Sequence, residues 1–257
     1  DRMRGGTPGV GIGRRAWRSF ELALAFVPLA FGLSGCAGPA VAKEEAPPPS
    51  APERPTPKTW HASSYVRGAL GLRVIDYWSR GPDMRARSLI SGHPIVTIVH
   101  GGRYIAYDAL SRKGVDVARA PGALAGDERR LRPFAFELDE LRGEGGEKIE
   151  DVKLGRLRAE VWQRTDGAGR RKIWVTADAP QVPVRTQQFD RASGATVETD
   201  YSNWTFDLEI PDAFFVPPAD VSFERFEYDA FVQWALEGGV SPVPILYPDL
   251  LHGGPVD

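Results

Sequence analysis

Three features of this sequence predict a mainly β fold with few helices. From Ser64 to Leu208 apolar and polar residues alternate with period two through one segment after another. Glycine-rich turn signals separate those segments at hairpin spacing, and helical spacing is confined to two stretches. Period two sustained over so many consecutive segments indicates a meandering antiparallel sheet with one apolar face.

The hairpins follow in order. Ile95 to Val99 is a β-branched run that leads through His100, Gly101, Gly102 and Arg103 into Tyr104, Ile105, Ala106 and Tyr107. The paired glycines suit a two-residue primed turn, which demands positive φ. In the second hairpin Leu157, Ala159 and Val161 alternate with Arg158, Glu160 and Trp162, and Asp166 to Gly169 turn the chain into Ile173, Trp174 and Val175. The third pairs Val182, Val184 and Thr186 with Val197, Thr199 and Tyr201 across Arg191 to Gly194. Trp204, Phe206 and Leu208 then alternate with Asn203, Thr205 and Asp207.

Phe134 to Arg142 reads as a short helix or a loop, ended by Gly143, Gly145 and Gly146. A longer helix is expected from about Ser222 to Glu237, after Pro217 and Pro218. Phe223, Phe226, Ala230, Phe231 and Trp234 fall there at helical spacing, with Ser222 as cap and Gly238 and Gly239 as stop. Glu224, Glu227 and Glu237 supply its solvated face. The tail beyond, with Pro242, Pro244, Pro248 and Pro255, reads as irregular.

The N-terminal region carries a different signal. The single cysteine, Cys36, closes the tetrapeptide Leu33, Ser34, Gly35, Cys36, which follows Arg14, Arg15 and Arg18 and an apolar run from Leu22 to Leu33. Positive charge, an apolar stretch too short to span a bilayer and small residues before the cut make residues 1–35 a lipoprotein signal peptide. The Cys36 thiolate is the nucleophile that takes up a diacylglyceryl thioether, and cleavage frees its amine for a further acyl chain. Several chains at about 0.8 kcal/mol per buried methylene hold stably where one alone is marginal. Residues 36–58 form a tether whose prolines, Pro47, Pro48, Pro49, Pro52, Pro55 and Pro57, favour an extended spacer of about 3 Å per residue. A domain from 59 to 218 and a C-terminal helix with an irregular tail from 219 to 257 complete the expected organisation.

Composition excludes several classes. With residues 1–35 removed, five basic and two acidic residues go, so 32 Lys plus Arg and 34 Asp plus Glu become 27 and 32. Both signs are interspersed, which is not the basic footprint of a nucleic-acid binder. One cysteine allows neither a disulfide frame nor a multi-thiolate metal site. His61, His93, His100 and His252 have no partner at metal-ligand spacing in the sequence. The acidic group from Glu137 to Asp151 lacks the alternation of a calcium loop and reads as a solvated face. Gly9, Gly11 and Gly13 follow no strand, and no nucleophile elbow or phosphate loop is present. No catalytic residue, metal or cofactor is expected.

The run Tyr77, Trp78, Ser79, Arg80, Gly81, Pro82, Asp83, Met84, Arg85 and the hairpin from Ile95 to Asp108 resemble the periplasmic lipoprotein carrier and receptor superfamily of Lol-type fold. So do the block from Ile173, Trp174 and Val175 through Pro183, Val184 and Arg185 to Phe189 and Asp190, and the closure Ile210, Pro211, Asp212, Phe214, Pro217. The resemblance spans about Tyr65 to Pro218. It implies an incomplete antiparallel β-barrel of about eleven strands with a helical lid, enclosing an apolar cavity for the acyl chains of a lipid or lipoprotein. It also implies an outer-membrane lipoprotein facing the periplasm, with a part in lipoprotein localisation. Family members usually carry an amphipathic helix before the first strand, which this chain leaves no room for around Trp60 and His61.

Two readings of the apolar positions stand side by side. Leu157, Val161, Ile173, Val175, Phe206 and Leu208 either pack as core against a helix or line the cavity. Phe223, Phe226, Phe231 and Trp234 either pack on the sheet or form a mobile lid. The rival function is a structural or sensory envelope module that contacts a protein partner through a filled core, and a third is an envelope hydrolase. Replacing Cys36 by serine should leave the domain folded but move it from the membrane fraction to the soluble one, because the thioether cannot form on a hydroxyl. Sedimentation with membranes in the absence of attached lipid would contradict the anchoring argument.

Overall fold

The computed structural model describes residues 56–68 and 71–253. Cys36, the signal peptide and most of the tether lie outside them. Strands β1 (Thr59–Gly68), β2 (Gly71–Arg80), β3 (Asp83–Ile90), β4 (His93–His100), β5 (Arg103–Asp108) and β6 (Lys113–Ala118) run up and down in sequence order. Helices α1 (Pro121–Asp127) and α2 (Glu137–Gly143) then lead to β7 (Glu147–Leu154), β8 (Leu157–Thr165), β9 (Gly169–Thr176), β10 (Pro183–Asp190) and β11 (Thr196–Phe206). A 3₁₀ turn at Asp212–Phe215 precedes β12 (Ser222–Phe226), α3 (Tyr228–Leu236) and α4 (Pro248–His252).

All twelve strands form one open sheet in the order β12-β6-β5-β4-β3-β2-β1-β11-β10-β9-β8-β7. Two meanders, β1 to β6 and β7 to β11, are joined where β11 pairs antiparallel with β1. The ends, β12 and β7, do not pair with each other, so the sheet is an incomplete barrel with four short helices, as expected. The expected hairpins form. The Gly101–Gly102 turn has φ of 53° and 77°, the doubly left-handed geometry that two glycines allow at little cost.

The helix expected from Ser222 begins only at Tyr228. Ser222 to Phe226 instead form a twelfth strand parallel to β6, and Glu227 is still extended, with φ −75° and ψ 155°. The free backbone edge of β6 decides this, since a strand there satisfies groups that a helix would leave unpaired. Strand geometry also splits the expected stripe. Phe223 lies opposite Gly114 on one face, and Phe226 lies opposite Val117 on the other.

The two faces have different covers. The inner face carries Trp60, Ala62, Val66, Ile75, Tyr77, Met84, Ala86, Ile95, Val99, Tyr104, Ala106, Val115 and Val117, all buried. On the outer face Val96, Ile98, Ile105 and Tyr107 pack against Phe215 and Val221. Arg85 fastens that outer segment by donating to the Phe214 carbonyl at 2.7 Å while lying 4.9 Å over the Phe214 ring. Trp60 is fully buried and packs edge-on against Phe206 at 5.1 Å, directly across the junction of the meanders. Trp60→Ala should cost about 3–5 kcal/mol of stability in denaturant unfolding. Leu157→Ala, at a position 37% exposed on a hairpin, should cost under about 1 kcal/mol.

Candidate ligand-binding face

Small side chains keep the middle of the inner face shallow: Ala62, Ala86 and Ala106 are fully buried, and Ser64, Ser79, Ser88 and Thr97 lie among them at no more than 1% exposure. The C-terminal segment lies in the space this leaves. Val243, Leu250 and Leu251 are buried against the face, with Ile245, Leu246 and Tyr247 partly so. The backbone N–H of Tyr247 donates to the Tyr104 hydroxyl at 3.2 Å, and the Tyr247 and Ser88 hydroxyls are 3.4 Å apart. Arg119, buried at the end of β6, donates to the Leu250 carbonyl at 2.6 Å and pairs with Asp127 at 2.7 Å. That arginine fastens α4 to α1.

A second cover comes from α2 and the loop before it. Leu138 and Leu141 bury Ile173 and Val175, and the helix ends where Gly145 takes φ of 82°. Phe134 stacks between Tyr77 at 4.7 Å and Trp204 at 5.9 Å. Arg132 enters the same aromatic group, its guanidinium 4.7 Å from the Trp60 ring and 5.4 Å from Trp204. Tyr201 donates to Oε1 of Glu137 at 2.6 Å. Burial pushes the Glu137 carboxyl above its ordinary range, and burial beside that carboxyl pushes the Tyr201 hydroxyl well above its own. Burial also depresses Arg132, with Glu137 and Asp139 opposing.

The residues expected to line one wall do not all share a face. Ile173, Val175 and Phe206 lie on the inner face, the first two under α2 and the third against Trp60. Val161 pairs with Trp174, whereas Ile173 pairs with Trp162, so Val161 and Leu157 point to the outer side and Trp162 takes the inner position. Arg142 of α2 lies 4.3 Å over the Trp162 ring on that inner side. Leu208 follows the end of β11 and is half-buried. Phe226, Phe231 and Trp234 form one inner cluster at ring separations of 5.0 to 5.7 Å. Phe223 packs instead on the outer face, edge-on to Tyr107 at 6.1 Å. Arg132, Glu137 and Tyr201 were not singled out in the sequence, where an Arg in a loop and a Glu in an acidic run carry no distinguishing pattern.

Histidines that looked unpartnered in sequence acquire carboxylates in space. His93 Nδ1 lies 2.8 Å from Asp108, and His100 Nδ1 lies 2.9 Å from Asp83. Among the described residues no three His, Cys, Asp or Glu side chains gather as metal ligands. In the acidic run, Glu150 of β7 pairs with Lys172 of β9 over the intervening β8. A cavity of about 300 Å³ at the far end of β8 to β10 is lined by Arg164, Arg171, Gln188 and Asp190. Arg164 and Arg171 already share the Glu144 carboxylate, which also lines it, as does Arg170.

No known protein family matches the chain, and no curated protein matches it in sequence. Solved structures with a similar fold include an uncharacterized conserved protein from Thermus thermophilus, at 13% identity and a TM-score of 0.47, over 65% of this chain and 90% of that one. Another is the Mycobacterium tuberculosis lipoprotein LppX, at 11% identity and 0.34, over 58% and 86%. A third is a putative outer membrane lipoprotein-sorting protein domain from Vibrio parahaemolyticus, at 12% and 0.31, over 61% and 88%. Likenesses of this strength assign no family.

Glu137 gives the site a pH signature. A carboxyl raised by folding contributes stability that is full below its unfolded pKa, about 4.3, and is lost as pH rises through the folded value. Stability should therefore fall as pH is raised from about 4.3. Glu137→Gln, which keeps the acceptor for Tyr201, should reduce that slope, leaving the smaller share of Glu140, whose carboxyl burial also raises, and be the more stable protein at neutral pH. The gain is about 1.4 kcal/mol for every pH unit between the unfolded and folded titrations. Thermal unfolding across pH 4 to 8 measures it, and a wild-type profile flat over that range would contradict the assignment.

Proposed function

We propose that this chain is an outer-membrane lipoprotein, held through Cys36 and the proline tether, whose periplasmic domain binds the acyl chain of a lipid or lipoprotein on the inner face of its sheet without converting it. The observation that carries this reading is the way the inner face is covered. An open sheet leaves an apolar face that no second sheet closes. Part of the cover, beside α2 and the Phe134 loop, is instead the C-terminal run into α4, with Val243, Ile245, Leu246 and Leu250 laid along a shallow floor of alanine and serine. An acyl chain offers the same kind of apolar surface, and each methylene buried there contributes about 0.8 kcal/mol. In this reading the C-terminal segment is the resident occupant, and a ligand displaces it. Cys36, its signal peptide and its lipid are supported by the sequence pattern, and a place in lipoprotein localisation by the resemblance noted there.

Solvent extraction and mass spectrometry of the purified protein test the reading directly, since phospholipid or acyl chains should co-purify. Removing residues 240–257 should empty the face, raise the fluorescence of a hydrophobic dye and speed exchange of a labelled fatty acid. The truncated protein must still unfold cooperatively for that comparison to count. Wild-type protein free of lipid, together with a truncated form that binds no added fatty acid, would favour the rival module whose filled core serves only to present a surface to a protein partner.

A further inference from the structure

Several buried polar groups on the inner side of the sheet have no hydrogen-bond partner, Oγ of Ser64, Oγ1 of Thr97 and Oε2 of Glu137 among them, and three others gather at the Trp60 ring. These three are Nε1 of Trp60, Oγ of Ser79 and Nε of Arg132. Trp60 and Ser79 are fully buried, and Arg132 is 5% exposed. The register sets Trp60 directly beside Ser79, and the Arg132 guanidinium lies over the Trp60 ring. The group is therefore assembled from two strands and the loop before α2. Two of its three members can only donate.

Arg132 lacks more than one hydrogen bond. It donates through Nη2 to the Ala135 carbonyl at 2.6 Å and packs on two indole rings, and among the described residues it makes no ion pair. The acids that face it are Glu137 and Asp139. Glu137 accepts from Tyr201 through Oε1 and leaves Oε2 without a partner, but it makes no hydrogen bond to Arg132 and its burial favours the neutral acid. A buried guanidinium without an ionised partner is costly, and buried donors in native proteins are almost always satisfied. Neither Glu137 nor Asp139 hydrogen-bonds Arg132, so an anion with acceptor oxygens within reach of Nε would complete its contacts.

We infer that Arg132, Trp60 and Ser79 form a headgroup subsite that takes the anionic group, carboxylate or phosphate, of an acyl ligand on the inner face. This rests on the reading of that face as an acyl-binding surface. Phe134, Trp204 and Phe206 wall the subsite with aromatic rings, so the anion would meet its donors away from bulk water, where a charge-assisted bond is strongest.

The test measures dissociation constants of oleate, oleyl phosphate, oleyl alcohol and inorganic phosphate for the full chain carrying Cys36→Ser, alone and combined with Arg132→Gln or Arg132→Lys. The two anionic ligands should bind roughly tenfold to a hundredfold more tightly than the alcohol, the range expected of one hydrogen bond to a charged group. Arg132→Gln should abolish that preference, so that within the variant acid and alcohol bind equally, and Arg132→Lys should retain part of it. Thermal unfolding of each variant checks that it remains folded. Equal affinity for acid and alcohol in the parent protein, or a preference that survives Arg132→Gln, overturns the headgroup assignment while leaving acyl binding intact. Failure of all three acyl ligands overturns the acyl-binding reading as well. Phosphate binding that is lost in Arg132→Gln with no acyl binding would show a small-anion site and overturn the headgroup proposal.

Discussion

The pairing of β1 with β11 is the backbone ladder on which the rest of this structure depends. Each meander is built from local hairpins, but neither has a complete core. Bringing them side by side sets Trp60 of β1 against Phe206 and Trp204 of β11, with ring separations of 5.1 and 6.4 Å. That contact joins residues far apart in the chain, so its loop-closure entropy must be offset by burial rather than by local turns. The ladder bulges between His61 and Ser63, and Asn203 opposite takes a left-handed φ of 56°. The bulge allows Tyr201, Trp204 and Phe206 all to pack on the inner face.

An open sheet of this width must cover its apolar face with something other than itself. Here the cover is assembled from α2, the Phe134 loop and the C-terminal segment, and each is fastened by polar contacts at its margin. Arg119 holds the Leu250 carbonyl, and Tyr201 holds Glu137. These contacts define where each piece lies, while the buried leucines, valines and aromatics supply most of the driving force. Among the polar groups left over, Trp60 Nε1 and Arg132 Nε lie within the aromatic wall. A core selected only for stability would place an apolar side chain there.

Much of the fold was legible because hairpins are local. The paired glycines after His100 and the glycine at position 194 announce their strands through left-handed backbone geometry, and Asp166 announces the next turn by accepting from the Ala168 and Gly169 N–H groups. What escaped depends on partners distant in sequence. In β1 the inward positions hold Trp60, Ala62, Ser64 and Val66, and the buried serine blurs the alternation, so the strand reads as starting late. In β8 both Val161 and Trp162 are apolar, and the register that pairs Trp162 with Ile173, under α2, determines which turns inward. Phe223, Phe226, Phe231 and Trp234 satisfy helical spacing on paper, but the unpaired edge of β6 takes the first two into a strand. Arg132 carried no signal because its character comes from the two tryptophans around it.

A tethered occupant also sets the strength of any binding to the inner face. The C-terminal segment is part of the same chain, so its effective concentration at the face is high, on the order of millimolar for a short connection. A ligand that must displace it binds more weakly by the fraction of time the face is open. Under the proposed reading that penalty has a use. A protein that receives an acyl chain and passes it on needs apolar burial strong enough to extract the chain from water and a competitor that keeps the residence time short. A headgroup contact at Arg132 would then separate ligands by charge, since the tail contributes apolar side chains to the face but leaves the Arg132 guanidinium without an anion.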